Sequence, residues 1–126
     1  MVVVRPVPGC FAVARLAHDS AWPHWAGDSI GLLSISRTSA ETSVVCEERL
    51  IPEGISKESG FVAFVVDGPI DFAATGVLAT LAVPLASASI STFAVSTFDT
   101  DYVLVRATDA ASARAAWRAA GVIVAD

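Results

Sequence analysis

The order of elements in the second half of the chain is the feature that most limits the fold. The stretch FVAFVVD, from Phe61, is rich in β-branched and aromatic residues and is followed by the turn residues Gly68 and Pro69, which predicts a strand. Apolar residues then recur at helical spacing up to about Ser87. These residues are Val77, Leu78, Leu81 and Leu85. The sequence therefore predicts a strand followed by a helix.

Two more strands, a second helix and a last short strand complete this half. The segments Ile90–Phe98 and Tyr102–Arg106 flank an FDTD turn and predict a hairpin. Asp109 is expected to cap a second helix, which ends at Gly121, and Val122–Val124 is expected to form a final strand. The order βαββαβ is the ferredoxin-like pattern. The fold class is therefore α+β, an antiparallel sheet with its helices on one face.

Local signals refine the two predicted helices. Thr75 or Asp71 can accept hydrogen bonds from the free N–H groups at the start of the first helix. Pro84 removes one helical hydrogen bond, so a kink is expected there. In the second helix, Trp117 lies on a face of small apolar residues and is predicted to belong to the core.

The first half of the chain follows the same plan less completely. Cys10–Leu16 predicts a strand, and Gly31–Arg37 with Ser43–Glu47 predicts a hairpin. Shifting the sequence by 60 positions lays ISRTSAETSVV, from Ile35, over VSTFDTDYVLV, from Val95. The segment HDSAWPHWAGDS replaces the glycine-marked turn and the long apolar helix. We expect two modules, residues 1–60 and residues 61–126, which pack together.

Composition excludes several classes of function. Hydrophobic residues make up 54% of the chain and charged residues 17%, which predicts a folded domain with an apolar interface. The net charge is −5 and Lys57 is the only lysine, which argues against nucleic acid as a partner. The longest apolar stretch, Gly76–Leu85, is too short to span a bilayer, so no membrane association is expected.

The N-terminus and the cysteines indicate the compartment. The apolar run in MVVVRPVPGC is too short for the core of a signal peptide, and Arg5 interrupts it. A cytoplasmic location is therefore expected. Cys10 and Cys46 each lie in a strand-like stretch and are predicted to be buried free thiols.

Three stretches carry a resemblance to a known family. They are DGPIDFAATGVLATLAVPLA from Asp67, ISTFAVSTFDTDYVLV from Ile90 and, more loosely, SISRTSAETSVVC from Ser34. The chain resembles ACT domains of the short bacterial two-module type, related to the arginine-sensing CASTOR proteins of animals. The resemblance covers nearly the whole chain. It implies a degenerate ACT-like module over residues 1–60 and a complete ACT domain over residues 61–126.

The resemblance also implies a function. ACT domains pair through sheets or helices and bind amino acids at the interface, either as regulatory modules of metabolic enzymes or as free sensors. It implies a protein without catalysis or cofactor, which binds an amino acid or a similar small metabolite, forms a homodimer and can act on a regulated enzyme.

The chemistry of the residues agrees with an amino-acid ligand. The ligand's carboxylate needs donors, and the segment Gly68–Val77, which includes Asp71, offers the unpaired N–H groups and positive end of a predicted helix. Gly76 allows a close approach of the backbone. The alternative is that Gly76 only relieves packing between helix and sheet.

The hairpin turn offers groups for the rest of such a ligand. Asp101 can accept an ammonium or guanidinium group, Thr97 supplies a hydroxyl and Phe98 an apolar wall. The alternatives are an ordinary turn residue at Asp101 and a core aromatic at Phe98. The resemblance implies ligand contacts at Gly76, Val77, Thr97, Phe98 and Asp101.

Rival functions have weaker support. The only histidines, His18 and His24, lie in one loop at a spacing that is not a helical metal pair, so we expect no metal site and no enzyme. The stronger alternative is an interaction module that keeps the fold but has lost its ligand. It would use exposed sheet edges and tryptophans such as Trp22 or Trp25 to hold a partner.

Overall fold

A computed structural model describes all residues from Met1 to Asp126. Its strands and α-helices are β1 (Val3–Leu16), β2 (Ser34–Arg37), β3 (Thr42–Glu47), β4 (Ser56–Val66), α1 (Val77–Ser87), β5 (Thr92–Ser96), β6 (Asp101–Arg106), α2 (Ala110–Ala119) and β7 (Ile123–Val124). Short 3₁₀ helices lie at His24–Asp28, Glu48–Leu50 and Ala107–Asp109. None of the helices is long and apolar enough to cross a membrane.

The chain forms two compact units. The first unit is Pro8–Phe61, and the second unit is Val62–Asp126 together with Met1–Val7. The second unit differs from the predicted module 61–126 because it includes the N-terminal seven residues. Its order from β4 to β7 is the predicted βαββαβ, with both helices and a mostly antiparallel sheet. The predicted α+β, ACT-like fold class is confirmed.

The N-terminal strand lies inside the sheet of the second unit. Val3 pairs with Ile123 and Val4 with Val124 in a parallel ladder between β1 and β7. On the other side, the N–H of Asp67 donates to the carbonyl of Val3 at 2.8 Å. The strand order is therefore β7-β1-β4-β6-β5. The strand predicted over Cys10–Leu16 therefore starts seven residues earlier, at Val3. Val4 is fully buried.

The core of the second unit forms between the sheet and the two helices. Its members include Val4, Phe64, Val66, Leu81, Leu85, Val103, Val105, Ala113 and Trp117. Trp117 is fully buried, as predicted, and its Nε1–H donates to the carbonyl of Leu81 at 3.0 Å. Its ring meets Phe64 edge to face, with 5.0 Å between centroids. This residue joins α2 to both α1 and the sheet.

The starts of both helices differ from the predicted caps. Gly76 precedes α1 in the left-handed conformation (φ 80°), and no side chain caps this end. Asp71 and Thr75 are therefore wrong as capping residues. Asp109 precedes α2 without a capping hydrogen bond, because the 3₁₀ helix Ala107–Asp109 already gives it helical backbone angles instead of the extended ones of an N-cap. Gly121 follows α2 with a φ of 87°, as its predicted end requires.

The first unit is built on the strands β1, β2 and β3. β3 pairs antiparallel with β1 and with β2, and the β2–β3 hairpin is the predicted one. Its core consists of Ala12, Ala14, Ala26, Val44, Cys46 and Ile51. The 3₁₀ helix His24–Asp28 occupies the segment where the second unit has an α-helix.

Only one of the two cysteines is buried. Cys46 is fully buried, and burial together with the carboxylate of Glu47 raises the pKa of its thiol to about 11. Cys10 is exposed, so its prediction as a buried thiol is wrong. Gly9 has a φ of 115°, which breaks the alternation of inward and outward side chains in β1 just before Cys10.

Candidate ligand-binding site

A cleft of about 290 Å³ opens in the second unit between the segment that precedes α1 and the turn of the β5–β6 hairpin. Six of the seven residues predicted as ligand contacts line it. They are Asp71, Gly76, Val77, Thr97, Phe98 and Asp101. Two segments separated by a helix and a strand in the sequence therefore meet at one site.

Gly68 does not line the cleft but lies at the base of the segment. A Cβ atom on this residue would come within 3.1 Å of the carbonyl oxygen of Asp99, which is closer than nearly all real contacts of such an atom. The N–H of Ile70 donates to the same oxygen at 2.7 Å. Gly68 therefore lets the segment before α1 pack tightly against the hairpin turn.

The start of α1 supplies hydrogen-bond donors to one wall. The first backbone bond of the helix runs from the N–H of Thr80 to the carbonyl of Gly76 at 2.9 Å. The N–H groups of the preceding residues have no partner within the helix, and no side chain caps them. Two of these residues, Val77 and Leu78, line the cleft. The helix dipole makes this wall attractive to an anionic group.

The remaining charges of the cleft are acidic. Asp71, Asp99 and Asp101 line it, and no lysine, arginine or histidine does. Asp101 accepts a hydrogen bond from the hydroxyl of Ser96 through Oδ1 at 2.6 Å. Asp71 accepts one from the N–H of Ala73 at 2.9 Å through its own Oδ1. The cleft thus combines carboxylates with the positive end of a helix.

The hairpin turn is held by Thr97 and Thr100. The N–H and hydroxyl of Thr97 donate to the carbonyl of Thr100 at 2.8 and 3.1 Å, and the Thr97 hydroxyl accepts from the N–H of Thr100 at 3.3 Å. The hydroxyl of Thr100 donates to the carbonyl of Val66 at 2.6 Å. A hydroxyl has one donor, so Thr97 can only accept a further bond from a ligand.

Two phenylalanines line the cleft on opposite segments. Phe98 lies in the hairpin turn and is 85% exposed, so the alternative of a core aromatic is wrong. Phe72, in the segment before α1, is 84% exposed and was not among the predicted site residues. The ring centroids are 6.0 Å apart. A lone aromatic among small and acidic residues, DFAATG, was the available sequence signal.

Comparison with family models defines the class of the protein. Residues 56–117 match the model of the ACT domain, and residues 9–54 match a second model that describes an N-terminal domain. The first match contains both segments that form the cleft. Residues 56–117 of the chain are therefore an ACT domain.

Solved structures identify its relatives. Protein Atu0741 from Agrobacterium tumefaciens is 35% identical, with a TM-score of 0.92 over 98% of this chain and 92% of that one. The chain belongs to the same family as this protein. No curated protein matches the chain.

Aspartate kinases share the fold at low sequence identity. The regulatory subunit of aspartate kinase from Thermus thermophilus is 9% identical with a TM-score of 0.61, over 89% of this chain and 93% of that one. Aspartate kinase from Clostridium acetobutylicum is 10% identical with a TM-score of 0.67, over 94% of this chain and 34% of the kinase. The chain therefore shares its fold with these two proteins.

Proposed function

We propose that this protein is a non-catalytic regulatory or sensor protein that binds an amino acid in the cleft of its second unit. The observation that carries the proposal is the pairing of unpartnered N–H groups at the start of α1 with the carboxylate of Asp101 in one cleft. The first can hold the carboxylate of an amino acid and the second its ammonium group. The volume of about 290 Å³ lies near the lower end for small-molecule sites.

The structural relatives support this role at the level of the fold. One of them is described as the regulatory subunit of aspartate kinase, and another is the structure of an Escherichia coli aspartokinase in complex with aspartate and ADP. Proteins that share this fold therefore include a regulatory subunit and an enzyme that binds an amino acid. The identity of the ligand for the present chain depends on the residues of its own cleft.

The charge of the cleft favours one class of amino acid. Three carboxylates line it and no basic side chain does, so an acidic ligand side chain would be repelled. A cationic side chain would find a second carboxylate, in addition to the one that binds the α-ammonium group. This preference agrees with the resemblance to arginine sensors. We therefore expect arginine or lysine to bind more tightly than aspartate or glutamate.

A thermal scan tests the proposed function. A ligand that binds only the folded state raises the melting temperature as its concentration exceeds the dissociation constant. The protein is heated with each of the twenty common amino acids at millimolar concentration. At least one should raise the melting temperature, Asp101→Ala should abolish the shift, and Asp28→Ala, which removes an exposed carboxylate outside the cleft, should keep it. No shift with any amino acid would contradict the proposal.

We also propose that the protein is a cytoplasmic homodimer that acts on a regulated enzyme. The edge strand β5 of the second unit and the half-exposed or exposed apolar residues of α1, such as Val83, supply surfaces for pairing. Light scattering at tens of micromolar should give twice the mass of the chain. A monomer at that concentration would contradict the dimer.

A further inference from the structure

Two of the six phenylalanines of this chain are almost fully exposed, and both lie at the cleft. Phe72 is 84% exposed and Phe98 is 85% exposed. In contrast, Phe11, Phe61 and Phe64 are buried in the interior. An aromatic ring left in water costs free energy, and two such rings in contact form an apolar patch whose usual meaning is a binding surface.

Local hydrogen bonds close the backbone turns that carry the two rings. The N–H groups of Ala73 and Ala74 donate to the side chain and the carbonyl of Asp71, at 2.9 and 2.8 Å, which forms a turn with Phe72 at its tip. Phe98 is the first central residue of the turn that Thr97 and Thr100 close. Each ring therefore projects from a backbone turn that is closed by hydrogen bonds.

The two turns are also tied to each other. The N–H of Ile70 donates to the carbonyl of Asp99 at 2.7 Å, two residues before Phe72 and one after Phe98. The ring centroids are 6.0 Å apart and the ring planes are inclined by 33°. Since both rings are so exposed, they lie at the mouth of the cleft, while Val77 and Asp101 are less exposed. The rings thus form an apolar rim around polar groups.

We infer that Phe72 and Phe98 form an aromatic clamp, one apolar surface made by both rings against which the side chain of the bound amino acid packs, so that the site selects ligands with a long aliphatic or aromatic side chain over glycine and alanine. The inference rests on the proposed function. If the ligand's main chain is held at the start of α1 and at Asp101, its side chain extends toward the rim. A chain of several carbons reaches the rings and buries them, whereas a methyl group does not. Phe72 is then a specificity-determining residue.

The test compares short and long ligands on two variants. Isothermal titration calorimetry measures the dissociation constants of L-alanine, L-leucine, L-phenylalanine, L-lysine and L-arginine with the full chain. Phe72→Ala should weaken the best of the four longer ligands by about tenfold relative to L-alanine, as expected when about two methylene groups lose their contact. Phe72→Tyr, which keeps the ring, should restore the affinity. The control Ile30→Ala removes an exposed apolar side chain of the first unit, outside the cleft, and should leave every dissociation constant unchanged.

The outcomes separate this inference from the proposed function. If the wild-type protein binds none of the five ligands or any other common amino acid, the proposed function fails and the clamp fails with it. If the wild-type protein binds but Phe72→Ala leaves every affinity unchanged, the clamp alone is wrong. The clamp is also wrong if Phe72→Ala weakens all ligands equally. A change in mass by light scattering without a change in affinity would assign the rings to contact with a second copy of the chain.

Discussion

The two hairpin turns of this protein share two hydrogen bonds and differ in their surroundings. In the first unit, the N–H of Thr38 donates to the carbonyl of Glu41 at 2.8 Å, and the Thr38 hydroxyl accepts from the N–H of Glu41 at 3.2 Å. In the second unit, Thr97 and Thr100 make the same two bonds at 2.8 and 3.3 Å. The two turns therefore share one hydrogen-bond pattern.

The substituents on the two turns decide what each can do. Thr38 corresponds to Thr97, which is a shift of 59 positions, one less than the predicted repeat of 60. Ser39 then corresponds to Phe98, and Thr42 to Asp101. Thr42 is fully buried, and its hydroxyl accepts a hydrogen bond from Nε of Arg37 at 2.7 Å, while Asp101 lines an open cleft. The same scaffold thus supports a structural contact in one unit and a candidate site in the other.

Of the changes that test this comparison, replacement of Trp117 should have the largest effect on stability. It removes the contact that holds α1 and α2 of the second unit together. Trp117→Ala should lower the free energy of unfolding by about 3–5 kcal/mol, as other large core truncations do. Urea denaturation measures it. Trp117→Phe keeps an aromatic ring in the core and loses part of the buried volume and the hydrogen bond to Leu81, so a smaller decrease in the free energy of unfolding is expected.

A tryptophan of the first unit provides the control. Trp22 is half exposed and stacks with Arg37, whose guanidinium carbon lies 5.7 Å from the ring centroid. Trp22→Ala should cost at most about 1 kcal/mol. An equal decrease in the free energy of unfolding for the Trp22 and Trp117 variants would mean that both tryptophans stabilise their units to the same extent. That result would contradict the structure.

The corresponding positions Thr42 and Asp101 should respond in opposite ways. Thr42→Ala leaves a donor of Arg37 without its partner, so it should destabilise the protein by about 1–3 kcal/mol and leave ligand binding intact. Asp101→Ala should change the stability of the unliganded protein by less than about 0.5 kcal/mol and remove the ligand-induced shift. Thermal melts with and without amino acids measure both effects. A ligand shift that depends on Thr42 and not on Asp101 would reverse the assignment.

The repetitive elements of the fold could be predicted from the sequence, and contacts between distant segments could not. The order from β4 to β7 follows from the spacing of apolar residues, and the buried Trp117 from its helical face. In contrast, Val3 and Val4 pair with residues more than a hundred positions away, which no local pattern encodes. The predicted repeat of 60 positions is one position longer than the structural correspondence. Matching residue types along the two hairpins does not reveal that Thr38 and Thr97 make equivalent hydrogen bonds.

The candidate site shows the same limit. Glycine and turn residues marked both segments of the cleft, so six predicted residues meet there. Phe72 was missed because periodicity says nothing about an aromatic residue in an irregular segment. The capping role predicted for Asp71 was wrong because its side chain closes its own turn at Ala73. Hydrogen bonds within irregular segments depend on backbone angles that residue type only partly determines.

The smallest expected effect concerns an ion pair at the residue just before the segment that lines the cleft. This pair has no counterpart in the first unit. Nε of Arg5 donates to Oδ1 of Asp67 at 2.6 Å, and this bond holds the pKa of Asp67 below its usual 3.8. A carboxylate with a lowered pKa in the folded state stabilises the protein above its unfolded pKa. This stability is lost as the pH falls from about 3.8 through the lower folded pKa.

Both partners of this pair can be removed to test it. Asp67→Asn and Arg5→Gln should each flatten the decline of the melting temperature below about pH 4, with little change at neutral pH, because the pair is exposed to solvent. Thermal melts from neutral to acidic pH measure this. An unchanged acid limb in both variants would show that the pair does not contribute to stability.

The central claim is that a metabolite binds at the second turn and not at its copy in the first unit. The most direct measurement is a titration of ¹⁵N-labelled protein with a mixture of the twenty common amino acids, followed through the amide resonances in a two-dimensional NMR spectrum. The account predicts that the largest shifts fall on residues 70–78 and 96–101, while residues 38–42 stay in place. Shifts centred on residues 38–42, or none at any residue, would contradict it.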